Sequence, residues 1–248
     1  MKPRLALALV LALAGPANAD EIKVWTTRAL ATVLAEVGPQ FERTTHHKLL
    51  ISVGLPTVFL KRAQAGEPFD VLITGTGAID ELIEAGSIAA DSRTRIARSG
   101  IGVAVRSGAR KPDIGSVDRF KQALLDAKSI AYLNNVGSGI YVGRLVKALG
   151  IADELEAKTV RPETDSISEL VASGKVELGI VVTTQILTTP GVEFVGPQPA
   201  AIQSYVEFVA GIGSHSKVQP AAADLIRYLT SPVATPVIKL QGMDPLVR

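Results

Sequence analysis

The sequence predicts an α/β protein of two lobes, each a mixed, mostly parallel sheet flanked by helices, joined by two strands that serve as a hinge. Three observations predict it. Short apolar runs alternate with amphipathic helical stretches in two successive sets, each roughly 100 residues long. Strands turn straight into helices through short polar turns at Thr26 and Thr27, at Thr57, at Ser138 and at Asp165. Two longer strand-like runs, 101–106 and 205–212, fall where the chain would cross between the sets.

The elements follow in order. Residues 22–25 are β-rich and read as a strand. From 29 to 43, the apolar residues Leu30, Val33, Leu34, Val37 and Phe41 recur with the spacing of one helical face. A second strand is expected at 49–53, then a short helix at 57–65, opened by Pro56 and Thr57 and closed by Gly66. Residues 69–73 form an apolar strand with Asp70 at its start; Thr74-Gly75-Thr76-Gly77 reads as a turn, and 78–85 as a helix capped by Gly86. A strand at 101–105 has glycines on both flanks, and the Gly-, Lys-, Arg- and Pro-rich loop 107–115 is a candidate boundary. The second set comprises helix 116–127 with Ser116 or Asp118 at its cap, strand 130–133, helix 139–149, a weak strand at 157–160, helix 165–172 and strand 177–182. A short strand at 194–195 precedes the turn Pro197-Gln198-Pro199; strand 205–212 then leads to helices 220–229 and 233–241. The expected division is a leader over 1–19, a first lobe from 20–103 and 209–248, and a second lobe from 104–208.

The leader has a basic start (Lys2, Arg4), an apolar run over 5–14 too short to span a bilayer, and Ala17-Asn18-Ala19 as a cleavage site. It implies export to a bacterial periplasm. The chain has no cysteine, which excludes disulfides and thiolate metal sites. The formal charge of +2 disappears with Lys2 and Arg4, leaving 24 basic against 24 acidic residues. A neutral chain with 4% aromatics and no basic run is not built for nucleic acid. An anion would have to be held by local geometry.

Helix starts supply that geometry, because the first N–H groups of a helix have no intrahelical acceptor and sit at the positive end of its dipole. Thr26, Thr27 and Arg28 place two hydroxyls and a guanidinium at one such start. Thr57 opens the second. The loop Asn134-Asn135-Val136-Gly137-Ser138-Gly139 offers Asn135, Gly137 and Ser138 as donors, its glycines allowing close backbone approach. Asp165 stands before the fourth helix, as a cap or a ligand group. His46, His47 and His215 lie in polar turns and read as solvated. There is no Gly-x-Ser-x-Gly elbow, no His-Glu-x-x-His and no phosphate loop. No cofactor, metal or catalytic residue is therefore expected.

The mature chain resembles the molybdate-binding-protein-like branch of type II periplasmic solute-binding proteins nearly end to end. The matching text is Val-Trp-Thr-Thr-Arg-Ala-Leu from Val24, then 65–73 (Ala-Gly-Glu-Pro-Phe-Asp-Val-Leu-Ile), 82–88, 137–141 (Gly-Ser-Gly-Ile-Tyr), 170–181 and 229–234. The resemblance implies four polar contacts to an oxyanion. Here they fall on Ala29, on Leu55-Pro56-Thr57, on Ser138 and on Val182, so two of the four are absent. The segments 99–105, 112–114 and 192–197 are closer to a subgroup that includes periplasmic aconitate isomerases, although the Gln pair that resemblance implies reads Val181-Val182 here. The expectation is a monomeric periplasmic binder of a small anion, oxyanion or carboxylate, working with an ABC permease. The alternative is an isomerase of a small tricarboxylate on the same scaffold.

Overall fold

A computed structural model describes residues 19–133, 138–162 and 166–246. The expected leader, save Ala19, lies outside them. The first strand, β1 (Glu21–Thr26), shows how the sheet is covered: Ile22 and Val24 face one apolar cluster and Trp25 faces another. Side chains alternate across a strand, so a strand apolar at consecutive positions needs cover on both faces. Helix α1 (Arg28–Thr45) lays Leu30, Val33, Leu34, Val37 and Phe41 on the first face. Helix α2 (Pro56–Gln64) brings Phe59 to the second, where Trp25 stacks between Phe59 and Phe69 at 5.4 and 4.5 Å. Strand β2 (Lys48–Val53) is the outer edge, parallel to β1.

Strand β3 (Val71–Gly75) runs parallel to β1 on its other side and leads directly into α3 (Thr76–Glu84). This corrects the turn expected at 74–77. Thr74 and Gly75 pair with Val209 and Phe208 of a later strand, and Gly75 keeps ordinary extended backbone (φ −64°, ψ 150°), so the ladder continues through a glycine. Strand β4 (Thr94–Arg106) is far longer than the run at 101–105 indicated.

The second half contains α4 (Val117–Asp126), β5 (Ile130–Ala131), α5 (Ser138–Ala148), α6 (Ala152–Glu156), β6 (Thr159–Val160), α7 (Ile167–Ala172), β7 (Leu178–Val182), α8 (Thr183–Thr188) and β8 (Val192–Pro197). Ser116 caps α4 by accepting the Arg119 N–H at 3.2 Å. Helices α6 and α8 have no clear signal in the sequence. Val181-Val182-Thr183-Thr184 is a β-branched run that reads as more strand. What turns it is α8's tie to β4: the Thr183 hydroxyl donates to the Gly100 carbonyl at 3.0 Å, and the Thr184 N–H to the Ser99 hydroxyl at 3.3 Å. The chain returns through β9 (Tyr205–Ile212), α9 (Gln219–Leu229), α10 (Thr235–Leu240) and β10 (Asp244–Pro245).

The strand order is β2-β1-β3-β9-β4-β7-β5-β6, with β8 and β10 also paired to β4. Each flank is parallel (β2-β1-β3 and β7-β5-β6), while the pairs through β9 and β4 are antiparallel. Strand β4 serves both lobes. Its Thr94 to Gly100 portion pairs with β9, and its Ile101 to Arg106 portion pairs with β7 and β8. The second lobe has its own two clusters, one around Phe120, Val142 and Ile180, the other around Ile167, Val171 and Val181. The last helices return to the first lobe, with Leu225, Leu229 and Ile238 packed beside α1.

Candidate functional site

Helix starts from both lobes converge on one cavity of about 60 Å³. At the β1–α1 corner, Thr27 occupies the cap position with extended backbone (φ −81°, ψ 160°). Its carbonyl accepts the Leu30 and Ala31 N–H groups at 3.1 and 3.0 Å. Its hydroxyl caps nothing: it is buried, lacks a hydrogen-bond partner among the described residues and belongs to a residue that lines the cavity. Ala29 lines it beside Thr27. The β2–α2 corner contributes Leu55 and Pro56, and the β3–α3 corner Gly75. From the second lobe come Leu133 and Ser138 at the β5–α5 corner, and Val182 and Gln185 at β7–α8. Val206 and Phe208 of β9 complete the lining.

Ser138 and Gln185 are buried, at 4% and 7% exposure. No ionisable side chain is among the described lining residues. Among the described residues, what favours negative charge is backbone: the helix amino ends at the cavity. A wider depression of the surface, near 530 Å³, lies elsewhere on the second lobe beside Arg110 and Glu177 and touches none of these corners.

The residues expected from sequence are placed as follows. Thr27 and Ser138 line the cavity. Thr26 is fully buried just behind it, its hydroxyl donating to the Ile73 carbonyl at 3.2 Å, which ties β1 to β3. Thr57 is exposed one step past the lining, because the cap position of α2 is Leu55 and Pro56 follows it. Arg28 does not line the cavity; it forms an ion pair with Glu169 of α7, joining the two lobes, with side chains 36% and 44% exposed. Asn135, Gly137 and Asp165 lie outside the described residues. Sequence reasoning missed Gly75, Leu133, Gln185, Val206 and Phe208. Gln185 sits on the unforeseen helix, and the two β9 residues carry no polar signal.

The histidines are remote from the cavity. His46 closes α1 in the left-handed conformation (φ 64°), its N–H donating to the Glu42 carbonyl at 2.9 Å. His47 is not solvated as expected: its side chain is 12% exposed, accepts the Asp20 N–H at 3.2 Å and lies against Phe41. His215 is exposed. Among the described residues, no group of three or more His, Asp or Glu is arranged to hold a metal ion. No described helix is long and apolar enough to cross a membrane.

Residues 22–244 match the sequence model for bacterial extracellular solute-binding proteins. The chain is 31% identical over 254 residues to an aconitate isomerase from a Pseudomonas species, covering 98% of this chain and 97% of that one. It is 30% identical over 251 residues to the molybdate-binding protein ModA of Azotobacter vinelandii, covering 96% of each. Both resemblances seen in the sequence are thus met. Among solved structures, the sulfate-binding protein SubI of Mycobacterium tuberculosis has a TM-score of 0.79 at 16% identity, over 92% of this chain and 87% of that one. With the fold, the shared cavity and a match over nearly the whole described length, the chain belongs to the bacterial extracellular solute-binding protein family.

Proposed function

We propose that this protein captures a small anion in the periplasm, between lobes divided near 103/104 and 208/209, and delivers it to an ABC importer. Thr27, Ser138 and the helix amino ends hold the ligand, with Asn135, Gly137 and Asp165 proposed from the sequence as further ligand contacts. Thr26 and Thr57 act at one remove, and Arg28 braces the rim. The relatives named for molybdate and sulfate support an anion. The observation that carries the reading is the Thr27 hydroxyl, buried at the cavity without a partner among the described residues. A buried hydroxyl with nothing to bond to is costly, and a ligand that accepts from it removes the cost.

That gives a direct test. Thr27→Val keeps the shape and deletes only the hydroxyl. The melting temperature of the ligand-free protein is expected to stay level or rise, since no protein bond is lost. Affinity for the best anion in a calorimetric panel of oxyanions and carboxylates is expected to fall about 10- to 100-fold, the value of a hydrogen bond to a charged group. An unchanged affinity removes Thr27 from the site.

The Pseudomonas relative favours a second reading, an isomerase acting on a small tricarboxylate. Such a reaction needs a base within reach of the proton it takes, and no described lining residue is one. Proton NMR of cis-aconitate with the protein separates the readings. No conversion is expected; turnover to the trans isomer would establish the second.

A further inference from the structure

The cavity's lining says more about its ligand than that it is negative. Seven of the eleven described lining residues are apolar, Leu133, Val182, Val206 and Phe208 among them. Among the described lining residues the polar side chains are neutral: Thr27, Ser138 and Gln185. Pro56, first residue of α2, has no N–H to give, so that helix start meets the cavity with carbon instead of a donor. A tetrahedral oxyanion presents oxygen on every side. Each oxygen turned toward Val206, Phe208 or Val182 would lose its water without gaining a donor. A second negative charge would find no cationic side chain in the described lining, and Arg28 is held by Glu169.

We propose that the natural ligand is a small aliphatic monocarboxylate: one carboxylate bound by Thr27, Ser138 and helix amides, with a short hydrocarbon tail against Val182, Val206 and Phe208. This narrows, and rests on, the reading of the cavity as an anion site. Polarity, not size, is what decides against sulfate and molybdate.

The test is calorimetric titration of the purified protein with acetate, propionate, butyrate, sulfate and molybdate. Propionate is expected to bind about fourfold tighter than acetate, the gain from burying one methylene, and sulfate and molybdate at least about tenfold more weakly than propionate. Val206→Thr exchanges a methyl for a hydroxyl at constant shape. It is expected to weaken propionate by about 3- to 10-fold and to leave sulfate no weaker. Val182→Thr gives the same reading should the first variant fail to fold, with circular dichroism and melting checking each. Sulfate or molybdate binding tighter than every monocarboxylate overturns the assignment while leaving an anion site. An unchanged propionate-to-sulfate ratio in the folded variants overturns it too. No binding by either set removes the anion site itself.

Discussion

Gly139 governs how closely the second lobe approaches the cavity. A methyl group at this position would overlap the Leu133 carbonyl. Leu133 and the neighbouring Ser138 both line the cavity, so Gly139→Ala must push Leu133 and the start of α5 apart. Overpacking of this kind costs about 1–3 kcal/mol, which for this size lowers the melting temperature by roughly 2–10 °C. Ligand affinity should fall with it, and a variant that melts and binds as wild type would show that the corner relaxes freely. Of the candidates read from the sequence, Thr27 and Ser138 line the cavity; both stand at strand-to-helix corners, where a hydroxyl either caps the helix or faces outward. Thr57 was one step out of phase, since the position that faces the cavity is the cap and not the turn beyond it. Val206 and Phe208 were illegible, as apolar residues on a strand look the same whether they face a core or a ligand.

Among elements, the contact between α1 and α7 through Arg28 and Glu169 is the one described ion pair that joins the lobes at the cleft. Both side chains are more than a third exposed, and such pairs contribute only about 0–1 kcal/mol. Arg28→Ala is therefore expected to change ligand affinity less than about fivefold at 0.15 M salt, with a smaller effect still at 1 M. A loss beyond about tenfold, measured by calorimetry or by stopped-flow dissociation, would mean that the guanidinium leaves Glu169 and touches the ligand. Most elements were readable from periodicity and punctuation: β9 matches its expected range, and Ser116 caps α4 as its sequence suggests. The exceptions share one cause. Thr74 and Gly75 continue β3, β4 starts at Thr94, and Val182 gives way to α8, all because a strand or hydroxyl distant in sequence supplies the missing partner. Local propensity cannot report such a partner.

At the scale of the whole molecule, the titrating groups set a broad pH plateau. Glu42, Asp113 and Glu193 are held below the ordinary carboxylate range first by backbone N–H donors, from Leu49, Gly115 and Gly108, and Glu67 and Glu156 by Arg62 and Arg161. Carboxylates lowered by folding add stability above their unfolded values, 3.8 for Asp113 and 4.5 for the glutamates. That stability is lost as pH falls through the folded values. Burial pushes the Tyr141 and Tyr228 phenols above 10, which favours the folded state below that pH and withdraws the advantage as they ionise. The urea midpoint should thus be level near neutrality, drop below about pH 4.5 and drop again above about pH 10. A maximum near pH 5 with a decline by pH 7 would contradict it. The two-lobed plan was visible in the doubled alternation of strands and helices, but the pairing that joins the lobes was not. That pairing has a consequence for how the chain is made. β3 has β9 as one neighbour, and β4 is hemmed by β9 and β10, so the half whose first strand leaves the ribosome earliest must wait for the final segment before it can close. The later half lies between them in the chain, and although it starts second, it has all of its other strands first.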